Sequence, residues 1–124
     1  MKRNPWILLS ALALVAVLAG ATFAEDGEDK KDIAKMSAKD LYKNACKPCH
    51  TEDAEAGEYT PMSLIGDQWE EFFDEDLVET HKDLPCPGNK DAKLLETLDK
   101  DLIKKLRKFC VDHAADSEQP MTCG

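Results

Sequence analysis

The sequence predicts an all-α fold, and three observations support this prediction. Apolar residues recur at three- and four-residue steps from residue 38 to the cysteines at 46 and 49. The same period returns over residues 99–113, near the end of the chain. No segment shows the alternation of apolar and polar residues that is typical of a half-buried strand. A chain of 124 residues with these patterns is expected to form one domain.

The N-terminus has the pattern of a secretory signal peptide. A short basic start, residues 1–4, precedes an apolar run over residues 6–19 and then small residues. The run is shorter than the about 20 residues of a comfortable membrane span, and an uncleaved anchor is the alternative interpretation. Cleavage is expected after Ala24, which removes residues 1–24 and leaves no membrane span; Ala19-Gly20-Ala21 is an alternative site. The mature chain is then expected in the periplasm, or outside the cell.

The chain is acidic, with 16 basic and 25 acidic residues and a net charge of −9. Loss of Lys2 and Arg3 with the signal peptide brings the net charge to −11. Such a surface repels nucleic acid, whose binding requires neutralisation of phosphates. The charge favours a basic protein partner, because long-range attraction speeds the encounter.

The order of elements follows from caps and periodicity. Residues 25–36 are charged and are predicted to form a flexible leader. Ser37 is predicted to cap the first helix, with Asp40 three places on. Residues 51–61 lack periodicity and contain glycine and proline, so they are expected to form a loop.

The remaining domain, within residues 37–124, continues in the same way. A second, shorter helix is expected after the loop, with one or two further turns that reach His81. Residues 83–90 contain two prolines and a glycine and are predicted to be a turn or loop. The last helix is predicted over residues 99–113, and the tail after it is irregular.

A dense motif, Cys46-Lys47-Pro48-Cys49-His50, carries the chemistry of the chain. Zinc needs about four ligands, usually in two paired clusters, and the chain has no second Cys-x-x-Cys. A thioredoxin-like redox pair needs a βαβ context, which the sequence does not suggest.

A covalent c-type haem accounts for each residue of the motif. Cys46 and Cys49 place two sulfurs on one side of a turn, where they can form thioethers with two vinyl groups of a haem. His50 can then coordinate the iron from one face, and Cys-x-x-Cys-His is a strong signature of this attachment. Export agrees, because bacteria make this attachment outside the cytoplasm. The sequence therefore predicts one covalent haem c with His50 as proximal ligand.

On these residues the chain resembles the small single-haem class I c-type cytochromes. The resemblance rests on LYKNACKPCHTE, on TPMSLIG and on the late helix LDKDLIKKLRKF, and it covers most of residues 37–110. It implies a small cytochrome c-like helical fold around one covalent haem. The segment TPMSL stands where the family has Gly-Pro-x-Leu. The resemblance implies that the Pro61 carbonyl accepts the second ring N–H of His50; alternatively, Pro61 only ends a loop.

The distal ligand is where the chain departs from the family, which usually supplies a methionine from a loop before the last helix. No methionine lies between Trp69 and Lys108. His81 lies in the right interval and is the favoured distal ligand, with Met121 and Met62 as alternatives. His113 is a further candidate, but it lies on the apolar stripe of the last helix, where a packed core histidine is expected. An open sixth position is a further possibility, which would allow small molecules to bind.

Three cysteines lie outside the motif, Cys86, Cys110 and Cys123. Exported chains commonly oxidise spare thiols. A disulfide between Cys110 and Cys123 would pin the tail and leave Cys86 unpaired or linked to another chain. Pairing of Cys86 with either of the other two is the alternative.

The predicted function is that of a periplasmic one-electron carrier and not of an enzyme. The aromatic side chains are expected to wall the haem pocket, and these are Trp69, Phe72, Phe73 and Phe109. The expected partners are redox proteins with a basic docking patch. The alternatives are a haem-based sensor or binder with an open sixth site, and a non-haem interaction module held by disulfides or zinc.

Overall fold

The computed structural model describes residues 32–121 of the chain. The predicted signal peptide, most of the predicted leader and Cys123 lie outside these residues. The helical elements are α1 (Ala38–Ala45), a 3₁₀ turn (Pro61–Ser63), α2 (Gly66–Glu71), a π turn (Phe72–Asp76), α3 (Leu77–His81), α4 (Leu94–Thr97) and α5 (Lys100–Asp112). Two strands, β1 (Pro85–Cys86) and β2 (Asn89–Lys93), lie between α3 and α4 in the chain.

Helix α1 begins at the predicted cap. The Ser37 hydroxyl oxygen accepts the backbone N–H of Asp40 at 3.1 Å, which satisfies one of the N–H groups left unpaired at a helix start. Leu41 and Tyr42 lie on its buried face. The prediction of this cap and of the helix that leads into the cysteine motif is confirmed.

Helix α5 is also capped by a side chain. Asp99 accepts the backbone N–H groups of Asp101 and Leu102 at 3.0 and 2.9 Å. The buried residues of the helix recur at helical spacing and are Leu102, Leu106, Phe109 and Cys110. The prediction of the last helix is confirmed. Its apolar residues lie on one face, which packs against the core as expected of an amphipathic helix.

The core forms where α1, α2 and α5 pack together. Its buried apolar side chains are Leu41, Tyr42, Trp69, Leu94, Leu98, Leu102, Leu106, Phe109, Cys110 and Ala114. The Tyr42 and Phe109 rings, with centroids 5.6 Å apart, join α1 to α5. Residues 32–35, at the end of the predicted leader, are helical, and Lys105 donates to the Met36 carbonyl at 3.1 Å. The segment before α1 is thereby tied to α5.

The prediction of an all-α class is wrong, because the segment expected to be a turn or loop contains a β-hairpin. β1 and β2 are antiparallel, with Pro85 opposite Lys93 and Cys86 opposite Asn89. Gly88 has a φ of +82°, a conformation open to glycine that lets the chain reverse direction. Both strands are largely exposed, so they lack the apolar alternation by which a strand is recognised in a sequence. The fold is therefore mixed and not the purely helical fold that the cytochrome resemblance implies.

The described part of the tail, residues 113–121, is irregular, as expected, but it is held by hydrogen bonds to the segment where α2 begins. The Ala115 N–H donates to the Leu64 carbonyl at 3.1 Å, and the Gly66 N–H donates to the Asp116 carboxylate at 2.8 Å. Cys110 has 1% of its surface exposed and forms no disulfide with another cysteine of residues 32–121. Because Cys123 lies outside the described residues, a Cys110–Cys123 disulfide stays a prediction.

Candidate functional site

The cysteine motif forms a tight turn at the end of α1. Cys46 caps the helix, and its N–H donates to the Tyr42 carbonyl at 3.0 Å. The Cys46 carbonyl then accepts the N–H groups of Cys49 and His50, both at 3.2 Å. This local geometry keeps Cys46, Cys49 and His50 on one turn of the backbone, as the spacing of the motif predicts.

The two thiols of the motif differ in environment. Cys49 is exposed, whereas Cys46 is half-buried and packs against the core. Burial raises the pKa of Cys46 from 9.0 to about 12, and the neighbouring Cys49 contributes in the same direction. Burial likewise raises the pKa of Cys110, with a smaller contribution from Cys46. Three sulfurs therefore lie near the contact between α1 and α5, and only Cys49 is well exposed.

His50 is oriented by a backbone carbonyl in the following loop. Its Nδ1 lies 3.0 Å from the carbonyl oxygen of Gly57, which has a φ of +79°. A carbonyl oxygen only accepts hydrogen bonds, so in the neutral tautomer that fits this contact Nδ1 carries the proton and Nε2 has the lone pair. Tyr59 packs edge-on against the ring at a centroid distance of 5.3 Å, and its own carbonyl accepts the Tyr42 hydroxyl.

Pro61 has a different role from the one that the family resemblance implies. Its carbonyl oxygen accepts the indole N–H of Trp69 at 2.7 Å, and Gly57 provides the carbonyl for His50. Trp69 is 5% exposed, and a buried indole N–H requires an acceptor. Pro61 thus fixes a wall of the core, and Gly57 is a site residue that sequence reasoning missed. In the sequence, Gly57 is marked only as a glycine within a loop that lacks periodicity.

His81, the favoured distal ligand, ends α3 with its ring partly buried. Its Nδ1 lies 3.1 Å from the Leu77 carbonyl and 2.7 Å from the Thr80 hydroxyl. The pKa of His81 lies below 6.5, chiefly because burial disfavours the charged ring; the Leu77 carbonyl opposes this and His50 adds to it. Because the Leu77 carbonyl only accepts, Nδ1 is again the protonated nitrogen.

The structure brings His50 and His81 together, although 31 positions separate them in the sequence. Their ring centroids are 6.2 Å apart, with an angle of 52° between the planes. Two imidazoles bound through Nε2 to opposite sides of one metal ion have centroids roughly 6 Å apart, since each metal–nitrogen bond is about 2 Å long. Both rings hold Nδ1 on a carbonyl and leave Nε2 free of those bonds, which is the usual arrangement of metal-binding histidines.

The other candidate ligands lie in different surroundings. Met62 is 38% exposed within the 3₁₀ turn next to Pro61. Met121 packs against the core, and its N–H donates to the His113 carbonyl at 3.3 Å. His113 packs against Phe109 at a centroid distance of 4.9 Å.

Three of the four aromatic residues expected in the pocket form one cluster. The Trp69, Phe72 and Phe73 rings contact one another with centroids 5.6–6.1 Å apart. Phe72 also meets the His81 ring edge-on at 6.0 Å. Phe109 instead packs between Tyr42 and His113. The cluster gives His81 an apolar flank, and Tyr59, which the sequence analysis did not single out, does the same for His50.

Within residues 32–121, no group of three or more histidine, cysteine or acidic side chains is arranged to hold a metal ion. Among the same residues, no helix combines the length and the apolar composition required to cross a bilayer. Comparisons of the chain with protein-family models, curated proteins and solved structures find no match.

Proposed function

We propose that this chain is an exported one-electron carrier that binds one haem covalently, with His50 and His81 as the side chains that would ligate its iron. One observation carries the proposal. Two imidazoles, each with Nδ1 on a backbone carbonyl, lie 6.2 Å apart beside a Cys-x-x-Cys turn. Neither the pairing nor the tautomers follow from the motif alone.

The donor set fits a c-type haem better than a bare metal ion. Cys46 and Cys49 supply two sulfurs for thioethers, and the two histidines supply two nitrogen ligands. When bound, the haem would supply one-electron redox chemistry at its iron. With two nitrogen ligands in place of a nitrogen and a thioether, the reduction potential is expected to be lower than in a His/Met cytochrome.

Aromatic side chains beside both histidines support the same function, because they give each ring an apolar neighbour. Phe72 packs against His81 and Tyr59 packs against His50, with centroids 6.0 and 5.3 Å apart. Val78 lies three residues before His81, on the same side of α3, and is 59% exposed. An apolar cofactor beside the two histidines would cover exposed apolar surface of this kind, which is otherwise unfavourable in water.

The charge of the chain supports a basic redox partner. A net charge of −11 after loss of the signal peptide would speed the encounter with a cationic surface. Interfaces of this kind are small and short-lived, and attraction between exposed charges weakens as salt is added. The rate of electron transfer to a basic partner is therefore expected to fall with ionic strength.

The test is expression of the full chain in a bacterium that attaches c-type haem. We expect the mature protein to gain the mass of one haem at Cys46 and Cys49, and the reduced protein to bind carbon monoxide weakly. His81→Ala removes one proposed ligand, so this variant is expected to bind carbon monoxide readily and show a large spectral change. His113→Ala is the matched control, because His113 also holds Nδ1 on a carbonyl, that of Gln119 at 2.8 Å.

Three different outcomes would each contradict a specific part of the proposal. A mature chain with no added haem and with free or bridged thiols would rule out the cytochrome and leave the interaction module. A wild-type spectrum that changes strongly with carbon monoxide would favour the sensor with an open sixth position. Loss of the distal ligand in Met62→Ala or Met121→Ala, with His81→Ala unchanged, would assign that ligand elsewhere.

A further inference from the structure

Thr80 lies at the centre of a short chain of hydrogen bonds beside His81. Its hydroxyl oxygen is 2.7 Å from the Asp76 carbonyl and 2.7 Å from His81 Nδ1. A longer contact of 3.3 Å joins it to the Leu77 carbonyl. Thr80 is exposed and contributes nothing to the core, so its side chain has no evident packing role.

The proton positions in this chain follow from groups that can only accept. The Asp76 and Leu77 carbonyls carry no protons, so the Thr80 hydroxyl donates its single proton to a carbonyl, and Asp76 is the nearer. The Thr80 oxygen is then left as an acceptor for the Nδ1–H of His81. This N–H is shared between Thr80 at 2.7 Å and Leu77 at 3.1 Å. The direction of donation therefore runs from His81 to Thr80 to Asp76.

Such a chain makes the opposite ring nitrogen a stronger ligand. A hydroxyl that donates onward is polarised and accepts more strongly, because hydrogen bonds in series reinforce one another. A stronger acceptor on Nδ1–H moves electron density toward Nε2 and also fixes the angle of the ring. The Leu77 carbonyl is part of the helix backbone, whereas the Thr80 hydroxyl is a side-chain acceptor for His81, which a substitution can remove.

We infer that Thr80 is a positioning residue for His81: its hydroxyl holds the Nδ1–H tautomer and strengthens Nε2 as an iron ligand. The inference rests on the proposed function, since it assigns a role toward the same haem. It goes further by naming a side chain that sets how tightly the distal position is closed.

Three variants separate the hydroxyl from its surroundings. Thr80→Val keeps the side-chain shape, removes the acceptor and puts a methyl group where a replacing water would stand. Thr80→Ser keeps the hydroxyl. Thr97→Val is the matched control. The Thr97 hydroxyl, at the end of α4, donates to the carbonyl four residues back, that of Lys93, at 3.1 Å. Its neighbour in the chain is not a histidine.

The first measurement uses the full chain without haem. Imidazole nitrogen NMR shifts distinguish a protonated from an unprotonated ring nitrogen. We expect His81 to carry its proton on Nδ1 in the wild type, Thr80→Ser and Thr97→Val, and to show a mixture of tautomers in Thr80→Val. A wild-type His81 protonated on Nε2, or a Thr80→Val tautomer identical to that of the wild type, would overturn the inference.

The second measurement uses the haem-loaded protein. Loss of a hydrogen bond to a ligating histidine typically weakens metal binding by about 10- to 100-fold. Thr80→Val is therefore expected to bind carbon monoxide about tenfold more tightly than the wild type and to have a higher reduction potential, with Thr80→Ser and Thr97→Val unchanged. Equal values in Thr80→Val and Thr97→Val would overturn the role of Thr80 and leave the haem proposal standing. A wild type with no covalent haem would overturn both.

Discussion

Backbone carbonyls, joined at His81 by the Thr80 hydroxyl, determine which nitrogen of each histidine is available. Gly57 accepts from His50 and Leu77 accepts from His81, each close to 3 Å. A neutral imidazole has one proton, so these two contacts leave both Nε2 atoms with lone pairs. The chemistry of the pair thus depends on main-chain geometry as much as on the identity of the histidines.

Gly57→Ala tests the carbonyl beside His50. The positive φ of this residue is expected to cost alanine about 1 kcal/mol in the free energy of unfolding, while the added Cβ meets Tyr59 at an ordinary 3.9 Å. Gly88→Ala is the control, because Gly88 has a φ of +82° with nothing within 4 Å of its Cβ position. Denaturant unfolding should show similar losses for both variants, but only Gly57→Ala should shift the nitrogen NMR signals of His50. A shift of equal size in Gly88→Ala would contradict the role of Gly57.

Alkylation of the haem-free chain tests the difference between the two thiols of the motif. A rise of the Cys46 pKa from 9.0 to about 12 leaves it roughly 1000-fold less thiolate than an ordinary cysteine at pH 8, and the thiolate is the nucleophile. Iodoacetamide should therefore modify Cys49 well before Cys46 or the buried Cys110, as followed by peptide mass spectrometry. In denaturant the three rates should converge. Equal rates at Cys46 and Cys49 in the folded chain would contradict this environment.

At the scale of elements, the π turn between α2 and α3 sets the direction of His81. The Leu77 N–H bonds to the Phe72 carbonyl five residues back, so this turn contains one residue more than an α-helical turn. Such widened turns are rare and frequently occur at functional sites. Arg107 of α5 forms ion pairs with Glu70 of α2 at 3.2 Å and with Asp74 of the π turn at 3.1 Å. These pairs connect both segments to α5. We therefore expect the approach of His81 to His50 to depend on the extra residue of the π turn.

Removal of Glu75 tests this geometry. Glu75 is exposed, and its loss would let the π turn become α-helical and rotate α3 by about 100° relative to α2, the rotation per residue in an α-helix. We expect circular dichroism to show unchanged helical content, while the haem-loaded protein binds carbon monoxide as readily as His81→Ala. Glu75→Ala, which keeps the length of the chain, should behave as the wild type. A wild-type spectrum after the deletion would show that the π turn does not orient His81.

At the scale of the whole molecule, stability comes from a small core between α1, α2 and α5. A chain of this size buries a limited apolar area, so each buried side chain accounts for a large share of the stability. The Lys105 bond to the Met36 carbonyl and the Ala115 bond to the Leu64 carbonyl connect the two ends of the described chain to this core. Loss of core packing would therefore also release the histidine pair.

Leu41→Ala tests the core. Leu41 is 1% exposed, and truncation of a buried leucine to alanine typically costs about 2–5 kcal/mol through lost burial and the cavity that remains. Leu84→Ala is the control, since Leu84 is 43% exposed and surface changes usually stay within about 0.5 kcal/mol. Denaturant unfolding of the haem-free chain provides both values. A loss below about 1 kcal/mol for Leu41→Ala would contradict the packing of α1 against α5.

Local patterns were enough to predict the parts of the molecule that depend on near neighbours. Each of these parts involves residues a few positions apart, whose spacing is visible in the sequence. They are the Ser37 cap, the apolar face of α1, the final helix and the turn at Cys46, Cys49 and His50. The hairpin was missed because its exposed strands carry no apolar alternation, and their pairing depends on the reversal at Gly88. Likewise, the carbonyl that accepts from His50 was predicted to be that of Pro61 but is that of Gly57. The Pro61 carbonyl instead accepts the indole N–H of the buried Trp69.

The sequence by itself determined the cysteine motif, its adjacent histidine and the helices on either side, since each is encoded within a few residues. Only the tertiary structure decided that His81 lies beside His50, because that contact depends on the π turn and on how α2 and α5 pack. It also decided which nitrogen of His50 is free, because the Gly57 carbonyl comes into place only when the loop after the motif folds. At His81 the acceptor is local, since Leu77 lies one helical turn before it in the same helix. A one-dimensional pattern records residue types and spacing, but not the distance between two rings brought together by a shared core.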